Sequence, residues 1–140
     1  MTHIKLAYIV SRFPHLYQTF VRREINALVQ RGAHIDVYPI AGPRRGGKQD
    51  AQRAATDAPV AVHTAPLTSL ATWQRAGRAF RQHPGRVRQR SLALLRATAG
   101  HPARFGKSLV ALVKGLAWAE TLTTGGTTHL HAHWSTYPAT

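Results

Sequence analysis

The sequence contains no cysteine, a single methionine and only five acidic residues among 140. The absence of cysteine excludes disulfides, a thiol nucleophile and cysteine-ligated zinc. No run approaches the ~18–20 uncharged apolar residues of a membrane-spanning helix. The first apolar segment, Ile4 to Val10, is interrupted by Lys5 and is followed by no signal-peptide cleavage pattern. We therefore expect a cytoplasmic protein that is at most peripheral to the inner face of the membrane.

Positive charge dominates the ionisable residues. Lysine and arginine total 19, and the formal net charge is +14. No acid occurs between Asp57 and Glu120, an interval that holds ten basic side chains. With 44% hydrophobic residues the chain is too apolar for a disordered polycation, so we expect the charge to lie on one folded domain, residues 1–140. Its basic second half is suited to attract phosphates.

The first forty residues show a strand–helix–strand pattern. Residues 5–10 form a short β-rich run, and residues 33–40 alternate in the manner of a second strand. Between them, Thr19 is a candidate N-cap, and Gly32 is at the position where a helix commonly ends in a residue of left-handed conformation. The predicted core stripe of this helix is Val21, Ile25 and Leu28. This βαβ unit predicts a parallel sheet with a right-handed crossover.

The remaining chain predicts further strands and helices. Residues 41–58 are rich in Gly, Pro, Arg and Gln and predict a mobile loop, and residues 59–63 predict a weak strand. Three helices follow, near 67–82, between His83 and Gly100, and near 103–122, before a fourth strand at 129–133. The fold class is therefore α/β, with a Rossmann-like parallel sheet flanked by helices. Residues 135–138 resemble the start of another helix, so we expect the domain to be incomplete at its carboxyl end.

Two loops follow predicted strands and carry side chains suited to polar ligands. The loop after the first strand contains Ser11, Arg12, His15, Tyr17 and Gln18. The loop after the fourth strand contains His133, Trp134, Ser135 and Tyr137. Doubly wound sheets bind ligands outside the carboxyl ends of their strands. A ligand site and ordinary polar surface loops both agree with this composition.

Both ends of the chain resemble family 4 glycosyltransferases. Ser11-Arg-Phe-Pro14, followed by Gln18-Thr-Phe-Val-Arg-Arg-Glu-Ile25 and Leu28-x-x-x-Gly32, is similar to their amino-terminal signature. The segment from His129 to Thr140 is similar to their fourth-strand region, where a His-Ala-His-aromatic run precedes a helix. The arginine-rich middle shows no such resemblance.

The resemblance implies the amino-terminal half of a GT-B fold, in which two Rossmann-like domains enclose a cleft. Such enzymes transfer a hexose from a nucleotide sugar to a sugar or lipid-linked acceptor and need no metal or other cofactor. The amino-terminal domain mainly holds the acceptor, and a second domain with a paired-glutamate motif holds the donor. Neither Glu24 nor Glu120 stands in such a motif. We therefore expect an acceptor-binding portion that is inactive alone.

The resemblance also implies roles for individual residues. His133 corresponds to a strand-end histidine that lies at the sugar and contributes to catalysis, although a histidine bonded to backbone at a strand end is the alternative. The predicted substrate-binding residues are Ser11, Arg12, His15, Gln18, Trp134, Ser135 and Tyr137. Gln18 stands where many relatives have a glutamate, so the acceptor contacts differ there.

A metal site is the other chemistry that this strand suggests. His129, His131 and His133 share one face of a regular strand, and a His-x-His pair can chelate zinc. No acid lies near them in the sequence. We predict no metal site.

The basic middle segment leaves a second class of function open, a non-catalytic module that binds anionic membrane or nucleic acid. Ordinary surface decoration by arginine is the first interpretation, membrane the second and nucleic acid the third. Stacking on nucleic-acid bases needs exposed aromatic side chains. Instead, the helical spacing places four aromatics on core faces: Trp73, Phe80, Phe105 and Trp118.

Overall fold

A computed structural model describes residues 4–13, 19–42 and 59–132. The elements are β1 (Lys5–Arg12), α1 (Thr19–Gln30), β2 (His34–Ala41), β3 (Ala61–Val62), α2 (Leu70–Gln82), α3 (Pro84–Thr98), α4 (Pro102–Thr124) and β4 (His129–Ala132). This order confirms the predicted succession of strands and helices. Of the segment predicted as a mobile loop, residues 43–58 lie outside the described residues, as does the helix start predicted at 135–138.

The four strands form one sheet in the order β3-β2-β1-β4, and every neighbouring pair is parallel. Leu6 is aligned with Ile35 on one side and with His129 on the other. The predicted α/β class and parallel sheet are therefore confirmed. By compactness the described residues divide into a sheet unit, which holds the four strands and α1, and a helical unit, Ala65–Gly125, which holds α2–α4.

Helix α1 covers one face of the sheet through its predicted stripe. Val21 and Ile25 are buried in a core with β1 and β2 residues, and Leu28 packs against that core. The helix ends in a Schellman motif: Gly32 N–H donates to Val29 O at 2.9 Å, and Ala33 N–H donates to Leu28 O at 3.0 Å. Gly32 has φ +86°, as its position in the sequence predicts.

The prediction that Trp73 and Phe80 lie on the core face of α2 is wrong, since both are exposed. The buried face of α2 is formed by Thr72, Ala76 and Ala79. Small side chains let two helices approach closely, and α2 packs along α4. Close packing against α4 favours the small side chains at the contact, so the large apolar side chains of α2 remain on its outer surface.

Helix α4 departs from its predicted face at its amino-terminal end. Phe105 and Leu109 are exposed, whereas Ala117 and Trp118 are buried further along. The prediction is therefore wrong for Phe105 and confirmed for Trp118. None of the described helices is long and apolar enough to cross a membrane.

Candidate functional site

The carboxyl ends of β1, β2 and β4 form one edge of the sheet, which we call the carboxyl edge. From β1 the chain proceeds to β2 and β3 on one side, and then returns to place β4 on the other side of β1. The strand order therefore reverses between β1 and β4. In open parallel sheets a ligand crevice lies outside the carboxyl ends of the strands at such a switch point.

Arg12 spans the ends of the two central strands at this edge. Its Nη1–H donates to the carbonyl oxygen of Gly42, just beyond β2, at 3.3 Å. A guanidinium carries five N–H donors, so one bond to a carbonyl leaves Arg12 able to bind a further acceptor. Ser11 and Arg12 are both half-buried. The carboxyl edge thus holds a cation and a hydroxyl that can bind a phosphate or a sugar hydroxyl.

The register places the carboxyl end of β4 beside β1, close to the end of that strand. Ile9, two residues before Ser11, is aligned with Ala132, the last residue of β4. The sequence predicts Ser11 and Arg12 in a loop after the first strand, but they are the last two residues of β1, which extends further than predicted, and they lie at the carboxyl edge. The other predicted site residues lie outside the described residues: His15, Gln18, His133, Trp134, Ser135 and Tyr137.

A second polar group, not predicted from the sequence, lies on the α1 face of the sheet. Tyr8 Oη–H donates to Glu24 Oε1 of α1 at 2.8 Å. The Tyr8 ring lies 5.0 Å from the His131 ring, at an interplanar angle of 41°. Burial, and then the Glu24 carboxylate, raise the pKa of Tyr8 above its usual range. Tyr8 therefore stays protonated near neutral pH, with its hydroxyl bonded to Glu24 and its ring beside that of His131.

Strand alternation contains part of this signal. His129 and His131 share the sheet face on which Tyr8 lies, as the alternation predicts. What the sequence does not specify is the register of β4 against β1, which aligns His131 with Tyr8. This cluster therefore emerges only once the sheet is assembled.

A third polar group lies on the opposite face, around a buried carboxylate. Asp36 is 4% exposed, and its oxygens lie 3.1 Å from Lys5 Nζ and 3.4 Å from His34 Nε2. His63 Nε2 is 3.6 Å away, longer than a hydrogen bond. A buried carboxylate needs such a partner, and Lys5 supplies it. The group stands near the amino ends of β1 and β2, away from the carboxyl edge, so we assign it to the stability of the sheet.

Tyr38 stacks on His63 beside this carboxylate, with ring centroids 4.8 Å apart. Burial, and then the charge of Asp36, raise the pKa of Tyr38 from 10.0 to about 12. The phenol is therefore neutral at any pH near neutrality.

In the helical unit, burial lowers the pKa of Lys114.

The described residues offer no group suited to a metal ion. Within residues 4–13, 19–42 and 59–132, no three His, Asp or Glu side chains are arranged to hold one. His129 and His131 share a face, but an imidazole pair alone falls short of the four ligands of a structural zinc site.

Comparison with models of protein families, with curated proteins and with solved structures finds no match to this chain. The fold and the carboxyl edge therefore define the protein at the level of its class: an α/β chain whose parallel sheet is consistent with a Rossmann-like fold. A finer assignment depends on the sequence motifs and on where the strands that carry them lie.

Proposed function

We propose that this chain is the acceptor-binding portion of a glycosyltransferase similar to family 4, with the architecture of the amino-terminal half of a GT-B fold. The observation that supports this proposal is the switch point between β1 and β4. The two segments that resemble the family begin in two neighbouring strands, β1 and β4. Their adjacency is what a shared ligand site requires, because parallel neighbours end at the same edge of a sheet.

In this proposal Ser11 and Arg12 bind the acceptor. An acceptor sugar offers hydroxyls, and a lipid-linked acceptor also offers phosphate, which a guanidinium binds through charge-assisted hydrogen bonds. The bond from Arg12 to Gly42 O holds the guanidinium across the ends of β1 and β2. Arg12 is thereby oriented before the ligand arrives, which reduces the entropy lost on binding.

His133 is the proposed catalytic residue, with Trp134, Ser135 and Tyr137 as further binding residues. It follows Ala132 directly in the sequence. An imidazole at this edge would donate a hydrogen bond to the hexose and stabilise charge that develops during transfer. The nucleotide sugar would be held mainly by a separate donor-binding domain, so the chain alone would not turn over.

The competing proposal is a non-catalytic basic module. The helical unit supports it, because ten lysine and arginine side chains there are opposed by one acid, Glu120. Such a module would bind anionic surfaces whether or not a saccharide is present. Saccharide binding at the carboxyl edge therefore separates the two functions.

The test is a saccharide-binding measurement on the full chain and on matched variants. Saturation-transfer NMR would screen hexoses, disaccharides and isoprenyl-phosphate-linked sugars. We expect Arg12→Gln to weaken acceptor binding by about fivefold or more, the loss of one charge-assisted hydrogen bond, and His133→Ala, whose proposed contact is with the transferred hexose, to weaken it less. Arg88→Gln, the same charge change on an exposed part of α3, should leave binding unchanged.

Thermal unfolding of each variant is the control for folding. Arg12 and His133 are proposed to act on ligand, so their variants should melt within a few degrees of the parent chain. If no saccharide in the panel binds, or if Arg12→Gln and Arg88→Gln weaken binding equally, the acceptor-site proposal is wrong.

A further inference from the structure

Helix α2 carries large apolar side chains on its outer surface. Leu70, Trp73 and Phe80 are 71%, 51% and 45% exposed, and we call them the α2 stripe. Their spacing, with Gly77 between the last two, places them along one side of the helix. The buried face of α2 is a different side, so the stripe is not part of the described core.

Three arginines lie on another side of the same helix, and helical periodicity places Arg81 next to the stripe and Arg75 farthest from it. Arg75, Arg78 and Arg81 are all exposed, and Arg78 makes an exposed ion pair with Glu120 at 3.6 Å. Glu120 is the only acid of the helical unit, and Lys114 is its only buried basic residue. The α2 stripe therefore stands in a field of positive charge that the unit itself does not neutralise.

The indole N–H of Trp73 is already hydrogen-bonded, which suits its exposed ring to an apolar environment. Its Nε1–H donates to the Leu67 carbonyl oxygen at 2.8 Å. An indole whose N–H is already bonded can enter an apolar medium without leaving a donor unsatisfied. The ring is therefore held in place and exposed, with its polar atom paired inside the protein.

We propose that the α2 stripe docks on the surface of an anionic lipid bilayer. Leu70, Trp73 and Phe80 enter the boundary between headgroups and acyl chains, while Arg81, next to the stripe, binds lipid phosphate. Helices that lie in the membrane interface combine Trp, Phe and Leu on one face with basic residues on another. Each basic residue near an anionic leaflet adds roughly 1 kcal/mol of attraction.

Other occupants fit the stripe less well. A second copy of the chain would bring α2 arginines against α2 arginines, with only Glu120 to pair them. Nucleic acid would neutralise the arginines through its phosphates and could stack bases on Trp73 and Phe80, but it would leave Leu70, the most exposed of the three, without apolar contact. An anionic bilayer satisfies both the charge and the apolar side chains. This proposal does not depend on the glycosyltransferase function.

The test is co-sedimentation of the full chain with vesicles. One set would be phosphatidylcholine alone, and the other phosphatidylcholine and phosphatidylglycerol in equal parts. We expect binding at least about tenfold tighter to the anionic vesicles. Leu70→Gln/Trp73→Gln/Phe80→Gln should weaken that binding by at least about tenfold.

A charge variant has a matched control on the neighbouring helix. Arg81→Gln should weaken binding by about fivefold. Arg88→Gln removes the same charge from an exposed site on α3 and should change binding less than about twofold. All substituted residues are exposed, and circular dichroism verifies that each variant folds.

Fluorescence tests the parent chain directly. Brominated acyl chains should quench Trp73 in anionic vesicles, and Trp73→Phe should bind with most of that quenching lost. Quenching that Trp73→Phe leaves intact would overturn the proposal. So would equal binding by the stripe variant, tighter binding to duplex DNA that the stripe variant retains, or a dimer that the stripe variant dissolves without any vesicle binding.

Discussion

In the sheet unit, one buried carboxylate, that of Asp36, lies at the centre of a group of polar side chains. Asp36 lies between strand residues that the alternation places on the same face, and Lys5 reaches it at 3.1 Å. Removing one partner of a buried pair leaves the other charge without compensation, which costs more than losing an exposed pair.

We predict that Asp36→Ala lowers the free energy of unfolding by about 2 kcal/mol, because Lys5 loses its partner in a partly buried site. Urea denaturation measures this change. The control is Glu120→Gln, which breaks an exposed ion pair with Arg78 and should cost less than about 0.5 kcal/mol. Equal losses in the two variants would contradict the role assigned to Asp36.

The stability of the fold should fall in strong alkali because of its buried phenols. The folded-state pKa of Tyr38 is about 12 against 10.0 unperturbed, so the protein favours the protonated form. This contribution is complete below pH 10 and is lost as the pH rises toward 12. Tyr38→Phe should reduce the alkaline slope by up to about 1.4 kcal/mol per pH unit.

Urea denaturation of the parent chain and of Tyr38→Phe between pH 9 and pH 12 measures that slope. The pKa of Tyr8 is also raised, so some slope should persist in Tyr38→Phe and should decrease further when Tyr8→Phe is added. An unchanged slope in Tyr38→Phe would mean that Tyr38 ionises freely.

At the scale of elements, α1 is predictable and α2 is only partly so. Gly32 and an apolar stripe specify the carboxyl end and the inner face of α1 by local signals. Helix α2 has equally clear periodicity, but two apolar sides compete for the interior. The side with Ala76 and Ala79 is buried because it packs along α4. That choice depends on a partner helix about thirty residues away, which no local pattern reveals.

We predict that Gly32→Ala destabilises the protein by about 1 kcal/mol, because a side chain at φ +86° is strained. No atom lies within 4 Å of the added methyl, so the cost comes from the backbone alone. Gly115→Ala, at an exposed site within α4, should instead stabilise by roughly 0.5–1 kcal/mol. Thermal unfolding measures both, and changes of the same sign would contradict the assignment.

At the scale of the whole chain, the sequence predicts the α/β class and the parallel sheet but not the strand order. The βαβ unit is local, so β1 and β2 follow from it. The pairing of β4 with β1 joins residues more than a hundred positions apart and aligns His131 with Tyr8. The Tyr8–Glu24–His131 cluster therefore could not be predicted. The motif at Ser11–Arg12 is visible in the sequence, but its position beside the end of β4 depends on that pairing.

The proposed function depends on ligand contact at the carboxyl edge. The most direct test is a map of amide chemical shifts in the isotope-labelled full chain, titrated with the saccharide panel. We predict that the shifts concentrate at Ser11, Arg12, Gly42 and Ala132 and saturate with ligand. Shifts confined to the helical unit, or none with any saccharide, would contradict the assignment of this edge as an acceptor site.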